Sequence, residues 1–277
     1  MYKNSVIKKL LISIKAFVVG ATMVIPGVSG GSMAMILGEY DKLIGSVPGL
    51  LRKNSFKNSF IYLCIFCISA VLGIFLASKP LEMLLNSYYG IVMFFFIGAV
   101  IGTVPMIIRK AGSFSSKKIP LSIIYILIGI VVVYLISLIP EGNISPSLDG
   151  GFSSYIYQIM AGVLISIGFI LPGISTSYLL VVLGLYHPIL NAISSLNVLP
   201  LIPLAVGMLL GTLILTEFLK WAMEKHPFVT YMTILGFLFG SIIQVFPPIP
   251  SWIDVLFSII SLCIGTLAIY WISLKEE

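Results

Sequence analysis

The chain has 277 residues, 59% hydrophobic and 9% charged, with a formal net charge of +6. Soluble domains carry roughly 25% charged residues, so a water-exposed globule is excluded, and the small basic surplus suits an anionic lipid surface rather than nucleic acid. Most of the apolar blocks are about 20 residues long, which crosses a hydrocarbon core as a helix and far exceeds a barrel strand; the expected class is an all-α integral membrane protein.

The first block covers 10–38 and follows the basic opening MYKNSVIKKLLISIKAF. A cleaved secretory signal is the competing reading. The apolar run nevertheless continues through the phrase IPGVSGGSMAMILGEY at 25–40, and a sister phrase stands in the chain's interior, so this segment is expected in the mature protein. Blocks at 60–78, 89–108 and 119–139 follow. Cys64 and Cys67 spell CxxC inside an apolar helix with no His beside them, and they read as small hydrophobes; no metal, disulfide or cofactor is expected. The stretch 141–154 has no Lys or Arg and is rich in Gly, Pro and Ser, marking a linker. The next block, 155–186, carries LPGISTSYLLVVLGLY at 171–186, and blocks at 199–219, 229–246 and 252–274 complete the chain.

The second series repeats the first. A shift of 146 places Pro26, Gly27, Ser29, Leu37, Gly38 and Tyr40 on Pro172, Gly173, Ser175, Leu183, Gly184 and Tyr186. A shift of 138 carries Gly73, Leu81, Gly98 and Gly102 onto Gly211, Leu219, Gly236 and Gly240, and one of 136 aligns IGIVVVYLISL with IGTLAIYWISL. Matches kept in order along the chain indicate a duplicated unit. Its copies are residues 1–140 and 155–277.

Basic residues set the topology. Let 10–40 and 155–190 each dip into the membrane and return, while the other three blocks of each copy cross fully. With the N-terminus inside, fifteen of the sixteen Lys and Arg are then cytoplasmic and Lys79 alone is external, as the positive-inside rule asks. Treating each Pro-Gly stretch as one kinked span gives an even split. Three full crossings per copy invert the second relative to the first. The expectation is an inverted-topology repeat with six full spans, two re-entrant hairpins, and both termini inside. The hairpins read as re-entrant because each proline comes early in its block, which leaves a short descending arm.

Proline restricts the residue before it and glycine permits a turn, so a helix stops at each phrase and another starts. Broken backbone at membrane depth is tolerated where protein or a watery cavity satisfies it. A restarting helix offers unpaired N–H groups, and Ser29, Ser32, Ser175, Thr176 and Ser177 add hydroxyls, a donor set for an anion, phosphate above all. The expected binding residues are Pro26, Gly27, Ser29, Gly30, Gly31 and Ser32 with Pro172, Gly173, Ser175, Thr176, Ser177 and Tyr178. A plain helix kink with close packing is the alternative. Lys79 and Glu82 map onto Glu217 and Lys220 with signs exchanged; they read as headgroup gates or as interfacial ion pairs. Glu39 and Asp41, matched by Leu185 and His187, read as a coupling site or as a solvated helix end.

These phrases resemble those of the bacterial and archaeal polyprenyl-phosphate transporters, whose hallmark is a PGVSGGT-like phrase after the first apolar segment and a PGISGS-like partner in the second half. PGVSGGS at 26–32 matches closely, whereas PGISTSY at 172–178 has Thr176 where glycine is usual. The resemblance spans essentially the whole chain. It implies a multi-pass protein of the bacterial cytoplasmic membrane that returns undecaprenyl phosphate, the carrier lipid of envelope polymers, from the outer to the inner leaflet. The bilayer and the polyprenyl phosphate would be its partners, and small-residue helix faces would permit a homodimer. Undecaprenyl-diphosphate phosphatases share such a layout, but the arginine of their loop is missing here, and Glu39, Glu82, Glu217 and Glu224 give no pair spaced four apart on one helix face, so no enzyme is expected. A small-anion or solute channel or carrier is the other reading.

Overall fold

The computed structural model describes residues 2–23, 25, 28–112, 118–140, 151–195, 197, 199–247 and 252–274. Pro26, Gly27 and positions 141–150 of the expected linker lie outside the described residues. All regular elements among the described residues are helical: α1 (Tyr2–Thr22), α2 (Gly30–Ile36), α3 (Tyr40–Gly49), α4 (Phe56–Lys110), α5 (Ile119–Ser137), α6 (Phe152–Ile170), α7 (Thr176–Val182), α8 (Tyr186–Ser194), α9 (Ile202–Lys225), α10 (Pro227–Val245) and α11 (Trp252–Leu274). Five helical segments are long and apolar enough to span a bilayer, namely α4, α5, α6, Leu199–Lys225 and Asp254–Leu274, with α10 a shorter apolar helix. At 55 residues α4 is roughly 80 Å long if straight, enough for two passages. Its helical path is interrupted at Tyr88, where φ is −141° and ψ 40°.

The duplicated sequence gives duplicated geometry. Tyr88 corresponds to His226, which separates α9 from α10 with nearly the same backbone, φ −130° and ψ 53°. Gly38 and Gly184 are also equivalent, and each takes a left-handed turn, φ 73° and 66°, at the end of a seven-residue helix. Few residue types other than glycine adopt that conformation cheaply.

Helix pairing follows the repeat as well. α1 packs on the first limb of α4 as α6 packs on α9. Between the copies, the second limb of α4 packs on α11 and α10 packs on α5. A Cβ on Gly98 would strike the Leu262 carbonyl, and one on the equivalent Gly236 would strike the Ile126 carbonyl, itself the equivalent of Leu262. Gly265 against Phe95 and Gly129 against Thr233 form the same reciprocal pair. Small residues let these backbones touch, the usual means of helix association where lipid removes the hydrophobic drive. Large side chains such as Phe75, Leu76, Leu209, Ile214 and Leu267 point outward instead.

Contacts sort the helix ends into two groups. Arg52 meets Glu217, Lys110 meets Asp41, the Arg109 guanidinium donates to the Ser273 carbonyl, and the Lys118 ammonium lies over the Phe228 ring. At the other end, Ser261 donates to the Ile91 carbonyl, Phe94 meets Phe246 edge-on, and Tyr178 donates to Ser137 and Ile139.

Three boundaries differ from the sequence reading. The arms leading to the two phrases are not short: α1 has 21 residues and α6 has 19. Lysine is a good helix former, so α1 continues through positions 3, 8 and 9. The expected spans 60–78 and 89–108 are not separated by a loop after residue 78. Helix runs on through Lys79, Pro80 and Glu82, where the backbone tolerates proline, and the break falls at Tyr88.

Candidate functional site

The phrases lie at the two tips, between α1 and α2 and between α6 and α7, and the tips touch. Ser29 takes an extended backbone, φ −90° and ψ 147°, and caps α2: its Oγ accepts from the Ser32 N–H at 3.1 Å. Such a cap satisfies one of the four donors a helix start leaves unpaired. The Ser29 and Ser32 hydroxyls stand 2.8 Å apart and share a hydrogen bond. Ser32 Oγ also accepts the backbone N–H of Gly173, from the second tip, at 2.7 Å, with Ser29 Oγ at 3.4 Å from the same nitrogen. Both serines and Gly173 are buried.

Close approach explains the glycines. Gly173 has φ +83°, and a Cβ there would run into the Phe237 carbonyl. A Cβ on Gly31 would lie 3.0 Å from the Ile170 carbonyl and 3.4 Å from the Pro172 nitrogen. Each phrase therefore carries a glycine at a point where the other tip or α10 leaves no room for a side chain.

Ser175 repeats the cap, its Oγ accepting from the Tyr178 N–H at 3.3 Å. The second tip is otherwise unlike the first. Ser175 and Thr176 are partly buried and Ser177 is exposed. Tyr178, the counterpart of Ser32, sends its phenol to the carbonyls of Ser137 at 3.0 Å and Ile139 at 2.7 Å, at the end of α5. Its expected place among the anion donors is not where its hydroxyl points. The bulk of tyrosine, set where the first copy has serine, carries the polar end past the tip. The structure thus brings Ser29, Ser32 and Gly173 together, places Gly30 and Gly31 beside them, and leaves Thr176 and Ser177 to one side.

Beside Ser32 is a cavity of about 20 Å³, bordered by Val28, Met33, Phe96, Val100 and Ser241. It would hold about one water and is too small for a phosphate group. Ser241 and its repeat partner Thr103 both turn their hydroxyls back onto their own helices, to Leu238 and Val100.

The acids near the first tip are engaged. Glu39 is 8% exposed, lies 3.4 Å from the Lys15 ammonium, and accepts the Tyr62 phenol at 3.0 Å. It is not a solvated helix end. Asp41 pairs with Lys110 at 2.6 Å. Between them Tyr40 is fully buried and donates to the Ile170 carbonyl at 3.0 Å, tying the start of α3 to the approach of the second tip. Glu217 pairs with Arg52 at 2.5 Å across the two copies instead of acting in a local pair, and the exposed Lys79 and Glu82 sit inside α4 rather than at a helix end. Sequence reasoning missed the Gly173 N–H as the link between tips, and missed Tyr40 and Tyr62. A tyrosine within an apolar helix is the one signal that a buried polar partner awaits it.

Comparison with known proteins gives three results. Residues 19–260 match a family described as undecaprenyl phosphate translocase-like. Two curated relatives are named polyprenyl-phosphate transporter. One, from Staphylococcus aureus (strain NCTC 8325 / PS 47), is 32% identical over 249 residues, covering 86% of this chain and 86% of the relative. The other, from Vibrio cholerae serotype O1 (strain ATCC 39315 / El Tor Inaba N16961), is 27% identical over 246 residues, covering 84% and 76%. No solved structure matches the chain.

Proposed function

The chain belongs to the undecaprenyl phosphate translocase-like family, and from that premise we propose that it carries a polyprenyl phosphate between the leaflets of a bacterial membrane, with the phosphate passing between the two tips. The observation that carries the route is the hydrogen bond from Gly173 to Ser32. It joins the two duplicated phrases, and it buries polar groups of both copies at one point.

A phosphate in hydrocarbon is prohibitively costly unless hydrogen-bonded and screened from lipid. Ser29, Ser32 and the N–H groups of Gly30, Gly31 and Gly173 can supply such bonds, with Ser175, Thr176 and Ser177 on the far side. The serines and Gly173 already hydrogen-bond one another. Admitting the headgroup exchanges these bonds for bonds to phosphate oxygens, so the gate is held by interactions of the strength the substrate replaces. The isoprenoid tail stays in lipid.

The membrane layout in this reading is an inverted repeat with both termini cytoplasmic. The grouping of Arg52, Arg109, Lys110, Lys118 and Glu217 at one end of the bundle supports it, because these are the segments charge counting places inside. The return arms α2 and α7 have seven residues each, roughly 10 Å, too short to cross. Rocking of the copies about the tips would expose the site to each face in turn, and the direction we propose is outer to inner leaflet, which returns the carrier lipid for reuse.

The test is reconstitution into liposomes with labelled undecaprenyl phosphate confined to one leaflet. The protein should accelerate loss of that asymmetry over empty vesicles. Absence of acceleration under proton and sodium gradients of either sign would refute the reading.

A further inference from the structure

A second polar site lies apart from the tips. α1, α3 and the first limb of α4 enclose an open cleft of about 510 Å³, within the range of small-molecule pockets. Lys8, Lys9 and Lys42 line it with Asn58 and Tyr62, and Ile61 and Ile65 form an apolar wall. Its polar members come from three separate elements, so the cations converge by tertiary packing rather than by proximity in sequence.

The cleft is built against a buried carboxylate. Glu39 holds Lys15 at 3.4 Å and the Tyr62 hydroxyl at 3.0 Å, so its charge is already shared. The Lys42 ammonium lies 4.2 Å from the Tyr62 ring centroid, a contact favourable to a cation. Burial pulls Lys42 below the ordinary lysine range; Glu39 opposes this, and the charges of Lys8 and Lys15 add to it. The group of lysines thus repels itself and gains from an anion. Glu39 directly precedes α3, and α2 runs from Ser29 at the tip to Ile36 just before it. The cleft and the tips are one short helix apart.

Resting on the transport reading above, we infer that this cleft is a docking site for the phosphate monoester of a lipid on the cytoplasmic side. Lys8, Lys9 and Lys42 neutralise the dianion, Asn58 adds a hydrogen bond, and Ile61 and Ile65 face the first isoprene unit. An apolar wall beside a basic floor selects a phosphate that carries a hydrocarbon chain over the free ion. The Lys15–Glu39–Tyr62 cluster adjoins this site through Tyr62, which lines it.

The experiment is binding of farnesyl phosphate, a short polyprenyl monophosphate, to the full-length protein in phosphatidylcholine nanodiscs. Lys8→Gln with Lys42→Gln should weaken binding roughly tenfold, as two partly exposed charge contacts are lost, while Lys8→Arg with Lys42→Arg keeps it. Should the double variant not insert, Lys8→Gln alone, at an exposed position, should cost about threefold. Unchanged affinity in the glutamine variants would overturn the inference. So would equal competition by inorganic phosphate, which would mark a free-anion site, or by phosphatidylglycerol, which would mark a general seat for acidic lipid. The liposome assay separates the two readings: wild-type transport with no lysine dependence of binding removes the cleft alone, and no wild-type transport removes the route through the tips.

Discussion

Replacing Ser29 with alanine is the most direct test of the closed tips. The change deletes the α2 cap, worth about 1 kcal/mol, and the Ser29–Ser32 hydroxyl bond, worth about 1 kcal/mol more; both are seen at 3.1 and 2.8 Å. The Ser32 N–H is left buried without that acceptor. A total of about 2 kcal/mol is roughly a 30-fold shift in the equilibrium between closed and open tips. Amide hydrogen exchange reads such local opening. Protection across Gly30–Ile36 should fall by that factor in Ser29→Ala, while α10 keeps its protection. Transport in liposomes should fall at least tenfold, because the same hydroxyl is a headgroup donor, and Ser29→Thr, which keeps the hydroxyl, should stay near wild type in both assays. Wild-type exchange together with wild-type transport in Ser29→Ala would reduce the phrase to a helix kink.

Three further substitutions probe the packing. Gly173→Ala forces a side chain into a left-handed backbone, φ +83°, and against the Phe237 carbonyl; it should cost about 3 kcal/mol and visibly lower the melting temperature in detergent, and an unchanged melt would contradict the tight approach of this tip to α10. Gly73→Ala and Gly211→Ala, at equivalent positions, should both lower the melting temperature in a thermal-shift assay, since the first Cβ meets the Phe17 carbonyl and the second meets the Ser166 hydroxyl and the Val163 Cα; an unchanged melt in either variant would contradict the close helix approach at that position.

The breaks at the two phrases were legible because they are written in residues with strong backbone meaning. Proline, glycine and serine at 26–32 and 172–178 announce a break and a cap, and the structure has Ser29 and Ser175 capping equivalent helices. What was not legible has physical causes. Lys79, Pro80 and Glu82 look like a loop by polarity and proline content, yet a helix already bonded on both sides carries them, and the break falls at Tyr88, a residue with no such signature. Nothing in the spacing of Glu39 and Tyr62 foretold their hydrogen bond, because it depends on how α3 lies against α4. Tyr178 is expected among the binding residues of the second phrase, and nothing in the sequence foretold that its hydroxyl reaches the carbonyls of Ser137 and Ile139 at and just past the end of α5.

The exchange of helices between copies, with α4 on α11 and α10 on α5, has a bearing on how the protein is made. The glycine faces at Gly98, Gly102 and Gly129 have no protein to meet until the last two helices leave the ribosome, so until then lipid lies against surfaces shaped for backbone. Packing of the first half is therefore completed only by the end of the chain.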